Sequence, residues 1–237
     1  MRNKSGIIRT TGILALVFII VAIIWYLLVE FAIGWVSSDP QQAANDLQDI
    51  AGNRGQYLGF MSIDILYNLG IFTLGALLYL IFRSFDRSLA LFGGLAFITT
   101  GAMWLMLDMP GFAQYQLALD YSVASGAAAS AILEKTAALS LWGDYSHPIT
   151  STLMAIGLFS FGVVIIRSTA INRLLGWLAI IAGILMLVSL VNAFERSLVW
   201  QIAYYVTEFW ILVTGLWLIL RGVKIPESKP TQTTAKA

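Results

Sequence analysis

The chain has 237 residues, of which 59% are hydrophobic and 11% are charged, and its formal net charge is +1. A chain this apolar and this poor in charge is not an ordinary soluble domain, and one compact membrane-embedded unit is expected. The lipid bilayer is therefore the expected partner, and the lack of a basic cluster excludes nucleic acid. The absence of cysteine excludes disulfides, thiolate metal sites and cysteine nucleophiles.

Six apolar segments predict an all-α, polytopic membrane protein, a six-helix transmembrane bundle. Each segment is long enough to cross roughly 30 Å of hydrocarbon as a helix. The first segment follows basic residues, as in a secretory signal, but it is longer than a usual signal core and no A-x-A site follows it. We therefore expect it to be an uncleaved span. The predicted spans are residues 11–35, 57–82, 89–109, 147–167, 173–194 and 199–221.

The lysines and arginines predict the orientation of these spans. Eleven of the 14 fall in the gaps on one side, and only Arg54, Lys135 and Arg196 fall on the other. By the positive-inside rule, both termini then lie in the cytoplasm, and we expect a bacterial cell inner membrane. The eleven are Arg2, Lys4, Arg9, Arg83, Arg87, Arg167, Arg173, Arg221, Lys224, Lys229 and Lys236.

Two outer loops carry helical signals of their own. In residues 37–56, Ser38 or Asp39 is expected to cap a short interfacial helix with regularly spaced apolar residues. Residues 110–146 are too polar and too rich in alanine and glycine for a seventh span, and they predict an extracytoplasmic helix or helical hairpin that caps the bundle. Residues 222–237 lack apolar periodicity and predict a disordered cytoplasmic tail.

Glycines, turns and arginines recur in the two hairpins that join spans two to three and spans four to five. The order of these residues along the chain resembles that in the uncharacterised bacterial membrane family called domain of unknown function 4386. The resemblance covers most of residues 10–220. The sequence departs from that family at Thr169-Ala170-Ile171, where a Tyr-Leu-Pro turn is common. The resemblance implies a multi-pass membrane fold and no activity. The residues are Gly59-Phe60, Asp64, Tyr79, Phe82-Arg83, Asp86-Arg87, Leu89-Ala90-Leu91, Gly157-Leu158-Phe159, Gly162, Ile166-Arg167-Ser168, Arg173, Leu175-Gly176 and Ala182-Gly183.

Three carboxylates lie well inside predicted spans, namely Glu30, Asp64 and Glu208, whereas Asp108 lies at the outer edge of its span and is grouped with the acidic residues of the outer surface. The predicted topology places all three in the outer half, roughly 8 to 14 Å from the outer helix ends. Because an ionisable side chain in hydrocarbon costs about 2.5 to 3.5 kcal/mol on insertion scales, these groups are expected to face the bundle interior. Neighbours one helical turn away are expected to hydrogen-bond them. These are Tyr26 for Glu30, Tyr67 and Asn68 for Asp64, and Tyr204 and Tyr205 for Glu208.

These groups predict an outward-facing, acidic, tyrosine-lined pocket that binds or conducts a proton, a cation or a small amine. The ligand-binding residues would be Asp64 and Glu208, with Glu30, Asn68, Tyr67 and Tyr204 as further contributors. The alternatives are that Glu30 reaches the interface, that Asp64 and Glu208 form a static clasp between two spans, or that Arg54 or Arg196 neutralises a carboxylate.

Other signals leave the function open. His147 precedes Pro148 and is expected to mark a helix start, the alternative being a titrating or metal-binding histidine with Asp144 or Glu195. No sequence motif identifies a cofactor, a metal or a catalytic residue, so an enzyme is the less favoured class. An accessory subunit that packs on a larger membrane complex is the second hypothesis, and a carboxylate-dependent membrane enzyme is the third.

Overall fold

The fold was obtained as a computed structural model, which describes residues 2–31, 36–168, 170–190 and 198–223. Within the helices, the side chains of residues 2–5, 28–31 and 200 are outside the described set. The described residues form seven helices and contain no strand. The helices are α1 (Arg2–Phe31), α2 (Pro40–Gly52), α3 (Arg54–Phe82), α4 (Arg87–Tyr121), α5 (Ala127–Arg167), α6 (Arg173–Val188) and α7 (Leu198–Leu220).

Five of these helices are long and apolar enough to cross a membrane. They are α3, α4, α5 and most of α1 and α7, and each carries at least 20 apolar-rich residues. The all-α class and the multi-pass membrane character are therefore confirmed. The fifth predicted span, residues 173–194, corresponds to α6, a helix of 16 residues, and residues 191–194 lie outside the described residues.

Large apolar side chains cover the outside of the helices. Along α1 alone, Ile13, Val17 and Ile20 are each about half exposed, and similar rows occur on the other long helices. A soluble protein rarely exposes contiguous apolar surface of this extent. Hydrocarbon contact explains the rows, because lipid tails remove the need to shield these side chains from water.

The long helices pack side by side in the order α1, α3, α4, α5, α6, α7, and α7 returns to contact α1. Close approach between neighbours depends on glycine. At the contact of α5 with α6, a Cβ atom on Gly162 would lie 2.8 Å from the Gly176 carbonyl oxygen, and one on Gly176 would lie 2.7 Å from that of Gly162. Small residues at such positions allow backbones to meet, and here they serve packing within the chain.

One end of the helices carries the basic turns. Asp86 caps α4 by accepting a hydrogen bond from the Leu89 amide at 3.0 Å, and Arg167 at the end of α5 lies 3.7 Å from the Asp86 carboxylate. The α3–α4 and α5–α6 turns therefore meet at the same end, which is also where α1 begins and α7 ends. This arrangement agrees with the predicted clustering of arginines on one side.

At the opposite end, α4 and α5 extend well past the predicted spans. With 35 and 41 residues they are about 52 and 61 Å long, against a hydrocarbon core of about 30 Å. The helices continue past the predicted span limits at 109 and 147, because Pro110 and Pro148 lie inside continuous helices. A proline removes only one helical hydrogen bond, and the packing of the surrounding turns maintains the helix. Residues 110–146 thus form the turn between α4 and α5 together with the adjoining ends of these two helices. His147 lies within α5 and does not start a helix.

The short helix predicted in the first outer loop is present as α2. The Asp39 side chain caps it by accepting hydrogen bonds from the Gln41 and Gln42 amides at 3.0 and 2.9 Å. Leu47 and Ile50 are fully buried, and α2 packs against α3, α4 and α5 at the end of the molecule opposite to the basic turns. The predicted helix is confirmed, and Asp39 is its capping residue.

Replacing Asp39 with alanine is expected to lower the local stability of α2 by about 1 kcal/mol, because two amides at the helix start lose their acceptor. Hydrogen exchange measured by mass spectrometry should show faster exchange at the amides of Gln41 and Gln42. The control is Asp49→Ala, an exposed aspartate near the other end of the same helix. Equal exchange in both variants would contradict the role of Asp39.

Candidate functional site

A cavity of about 460 Å³ lies at the end of the molecule where α6 ends and α7 begins. Residues of α1, α3, α4, α5 and α7 and of the segments next to them line it. A second depression of about 500 Å³ lies between α2 and the α4–α5 turn, and none of the described residues that line it is charged. The first cavity is therefore the candidate site. Its lining is Trp25, Val36, Asp64, Tyr67, Asn68, Trp104, Leu107, Asp108, Pro110, Gln114, Leu139, Ser140, Trp142, Gly143, Asp144, His147, Pro148, Ser189, Leu190, Gln201 and Tyr204.

Two buried carboxyl groups face each other across the α3–α4 contact. The side chains of Asp64 and Asp108 are 6% and 3% exposed and lie within hydrogen-bonding contact of one another. A hydrogen bond between two carboxyl groups requires a proton on one of them, since an ionised carboxylate only accepts. Two ionised carboxylates in contact would repel one another, so the pair needs either a shared proton or a positive counter-charge.

Neighbouring donors orient the two carboxyls. The Trp25 indole Nε1 donates to Asp64 Oδ1 at 2.6 Å, and the Asn68 amide Nδ2 donates to the two oxygens of Asp108 at 3.3 and 3.2 Å. Asp64 and Asn68 lie one turn apart on α3, so that helix contributes one acceptor and one donor to the same wall. Both carboxyls are held by hydrogen bonds rather than by a basic side chain.

Aromatic rings form a row along the cavity. Trp25 stacks on Tyr67 with ring centroids 5.7 Å apart, Tyr67 packs on Trp104 at 5.9 Å, and Trp104 stacks on Tyr204 at 6.1 Å. These four residues come from α1, α3, α4 and α7. Ring faces attract cations because of their negative quadrupole. Trp104 is 8% exposed, so this row of rings lies among the packed helices.

Glu208 lies outside the cavity and contacts this row of rings through Tyr67. Its carboxylate accepts a hydrogen bond from the Tyr67 hydroxyl at 3.3 Å, and its side chain is 9% exposed. Glu208 does not belong to the residues that line the cavity. The structure therefore separates Glu208 from Asp64 by the ring of Tyr67.

His147 lies on the α5 wall of the cavity. Its Nδ1 is 3.2 Å from the Ser151 hydroxyl, and its Nε2 is 3.4 Å from the hydroxyl of Tyr204. Asp144 lines the cavity one turn before it. The described residues contain no group of three histidine or carboxylate side chains that could hold a metal ion, and Glu195 lies outside them.

The charged side chains that line the cavity are acidic. Among the described residues that line it are three aspartates, Asp64, Asp108 and Asp144, and neither lysine nor arginine. Arg54, which could have reached a carboxylate, is exposed and donates from Nε to the Ala51 carbonyl oxygen at 3.1 Å. Arg196 and the side chain of Glu30 lie outside the described residues.

A comparison with known families agrees with the resemblance seen in the sequence. The model of the family described as "Domain of unknown function (DUF4386)" matches residues 10–222. The chain belongs to this family. No curated protein and no solved structure gives a significant match to this DUF4386 chain.

In this DUF4386 protein the predicted site residues come together only in part. Asp64, Asn68, Tyr67 and Tyr204 line one cavity, while Glu208 lies behind it. The two partners expected for Asp64 on its own helix were wrong, because Asn68 donates to Asp108 and Tyr67 donates to Glu208. The expected pair of Tyr26 with Glu30 lies outside the described residues. Helices that pack closely exchange hydrogen bonds across their contact, and the sequence does not show which faces meet.

Sequence reasoning missed four residues of this site, namely Trp25, Trp104, Asp108 and Gln114. Asp108 was placed with the acidic residues of the outer surface, because the helix was expected to end at Pro110. Because the helix continues past the proline, Asp108 lies nearly four turns before the end of α4, and its side chain is buried. The available signal was Asp108 itself, a carboxylate within the apolar segment of residues 89–109.

Proposed function

We propose that this protein is a non-enzymatic membrane protein that binds a small organic ammonium ion in this cavity. The observation that carries the proposal is the Asp64–Asp108 pair, which lies in an aromatic-walled cavity without a basic residue among its described lining. Tyr67, Asn68, Trp25, Trp104 and Tyr204 complete the site, and Glu208 supports it through Tyr67.

Electrostatics favour a cation over a neutral or anionic ligand. A buried carboxylate is costly unless a counter-charge or hydrogen bonds compensate it. The pair has hydrogen bonds from Trp25 and Asn68, but the described lining offers no lysine or arginine as a counter-charge. A cation in the cavity would allow both carboxyls to ionise and would supply the missing positive charge.

Size and wall chemistry favour an organic ammonium over a bare metal ion. A volume of about 460 Å³ is within the range of small-molecule sites and far exceeds a single ion. Three pairs of aromatic neighbours line its walls, and aromatic faces stabilise ammonium groups by about 0.5 to 2 kcal/mol each. An ammonium ion with an apolar body would use both the rings and the carboxyls.

The proposal includes a membrane arrangement of six spans with both termini in the cytoplasm. In this arrangement α6 crosses with 16 helical residues, about 24 Å, and the cavity opens outward under a cap formed by α2 and the tops of α4 and α5. The arginine-bearing turns lie at the end opposite to the cavity, which supports this orientation.

Binding is favoured over conduction by the packing below the cavity. Phe97, Phe161 and Trp210 are fully buried and touch one another there, with centroids 5.5 Å apart for the two phenylalanines and 6.3 Å for Phe97 and Trp210. A continuous cation path would have to pass this layer. The structure therefore fits a pocket that is open at one end.

The test is thermal unfolding of the purified protein in detergent with butylammonium chloride. We expect an increase in Tm of about 5 °C or more at 100 times Kd, from about 2.7 kcal/mol of linkage and about 2 to 4 °C per kcal/mol for a chain of this size. Equimolar sodium chloride controls for ionic strength, and 1-butanol controls for the apolar body. No increase with butylammonium beyond either control would overturn the proposal.

A further inference from the structure

Gln114 is a buried amide on the wall of the same cavity. It lies on α4, six residues after Asp108, and its side chain is 1% exposed. Its carbonyl oxygen Oε1 is buried and has no hydrogen-bond partner within the described residues. A buried carbonyl oxygen without a donor destabilises the folded protein, so this group calls for an explanation.

The amide orientation follows from its other neighbour. The Ser140 hydroxyl donates to the Thr136 carbonyl oxygen at 3.0 Å, so its proton is already engaged. Ser140 can then only accept from Gln114, whose Nε2 lies 3.0 Å away. The amide nitrogen therefore faces Ser140, and the carbonyl oxygen is the group left as an acceptor.

The position of Gln114 places this acceptor within reach of a ligand held by the carboxyl pair. Six residues correspond to about 9 Å of rise along α4, and helical side chains lean toward the N-terminus of their helix. Both side chains line the same cavity. One small molecule in the cavity can touch the carboxyls at one end and the amide carbonyl at the other.

We infer that Gln114 is a second recognition group, and that the ligand is a small amine with a second hydrogen-bond donor, such as a diamine or an amino alcohol. The inference rests on the proposed cation site. The ammonium end pairs with Asp64 and Asp108, and a hydroxyl or second amine a few bonds away donates to Gln114 Oε1. A ligand without a second donor leaves that carbonyl unpaired.

The experiment compares two amines with the same charge and the same number of heavy atoms, 4-amino-1-butanol and pentylamine. Affinities of the full-length protein in detergent are measured by isothermal titration calorimetry. We expect 4-amino-1-butanol to bind about tenfold more tightly, although its apolar surface is smaller. Without a contact to Gln114 the order would be reversed, because pentylamine buries more hydrocarbon.

Gln114→Met removes the acceptor and retains the length of the side chain, so it should reverse the order of the two amines. Gln116→Met is the matched control, since Gln116 is exposed on the same helix, and it should leave the preference unchanged. If Gln114→Met does not fold, Gln114→Glu retains an acceptor, adds a charge, and should bind 1,4-diaminobutane more tightly than the wild type does.

The outcomes separate the two proposals. If neither amine binds the wild type, the cation site itself fails. If both bind and pentylamine is equal or tighter, the cation site stands and the role of Gln114 is overturned. A preference for 4-amino-1-butanol that persists in Gln114→Met would also overturn it.

Discussion

Replacing Asp108 with asparagine is expected to weaken butylammonium binding about 30-fold. The substitution removes the charge that the ammonium group needs, and losing one partner of a buried charge pair costs about 2 kcal/mol or more. Asparagine retains the size of the side chain and can still hydrogen-bond Asn68 and Asp64. The Tm without ligand should therefore change little, while the increase in Tm at the same butylammonium concentration should fall to about a third of the wild-type increase. Asp64→Asn should behave in the same way.

The matched control is Asp120→Asn, an exposed aspartate twelve residues further along α4. It removes the same charge from the same helix and should leave butylammonium affinity unchanged. If Asp120→Asn weakens binding as much as Asp108→Asn does, the effect comes from the overall charge of this end of the molecule. In that case the carboxyl pair is not the binding site.

Gly101→Ala is expected to destabilise the protein by about 1 to 3 kcal/mol and to lower its Tm by several degrees. An added Cβ atom would lie 2.6 Å from the Phe72 amide nitrogen and 2.8 Å from the Asn68 carbonyl oxygen, so α3 and α4 would have to separate. Because Asn68 and Asp64 lie on the displaced helix, amine binding should weaken as well. Thermal unfolding in lipid nanodiscs measures the first effect and calorimetry the second.

Gly59→Ala provides the comparison, because a Cβ atom there meets nothing within 4 Å. Alanine is also the better helix former, so this variant should be unchanged or more stable by up to about 1 kcal/mol. Equal Tm values for Gly101→Ala and Gly59→Ala would show that the α3–α4 contact is looser than the structure indicates.

Much of the fold could be predicted from local patterns. Apolar segments identify the long helices, since about 20 apolar residues in a row have few other stable states. Asp39 followed by Pro40 predicts the start of α2, because both residue types suit the first positions of a helix. The family resemblance is likewise carried by glycines and turns that the sequence displays directly, and the family match confirms it.

The continuation of α4 through Pro110 and of α5 through Pro148 could not be predicted in this way. Proline is a common end signal, and local rules favour a break at both positions. In the structure the two upper segments pack against each other and against α2, through residues such as Ala118 and Leu47. This packing stabilises helix beyond the proline, and it is visible only when the partner segments are in place.

The sequence by itself determined which carboxylates lie within apolar segments, and so which side chains must be compensated if the chain enters a membrane. Only the tertiary structure decided the pairing. Asp64 contacts Asp108, Asn68 donates to Asp108, and Tyr67 donates to Glu208. Those contacts depend on how each helix is rotated about its axis relative to its neighbour. That rotation follows from side-chain packing along the whole contact, such as the close approach at Gly101, and not from the residues that form the site.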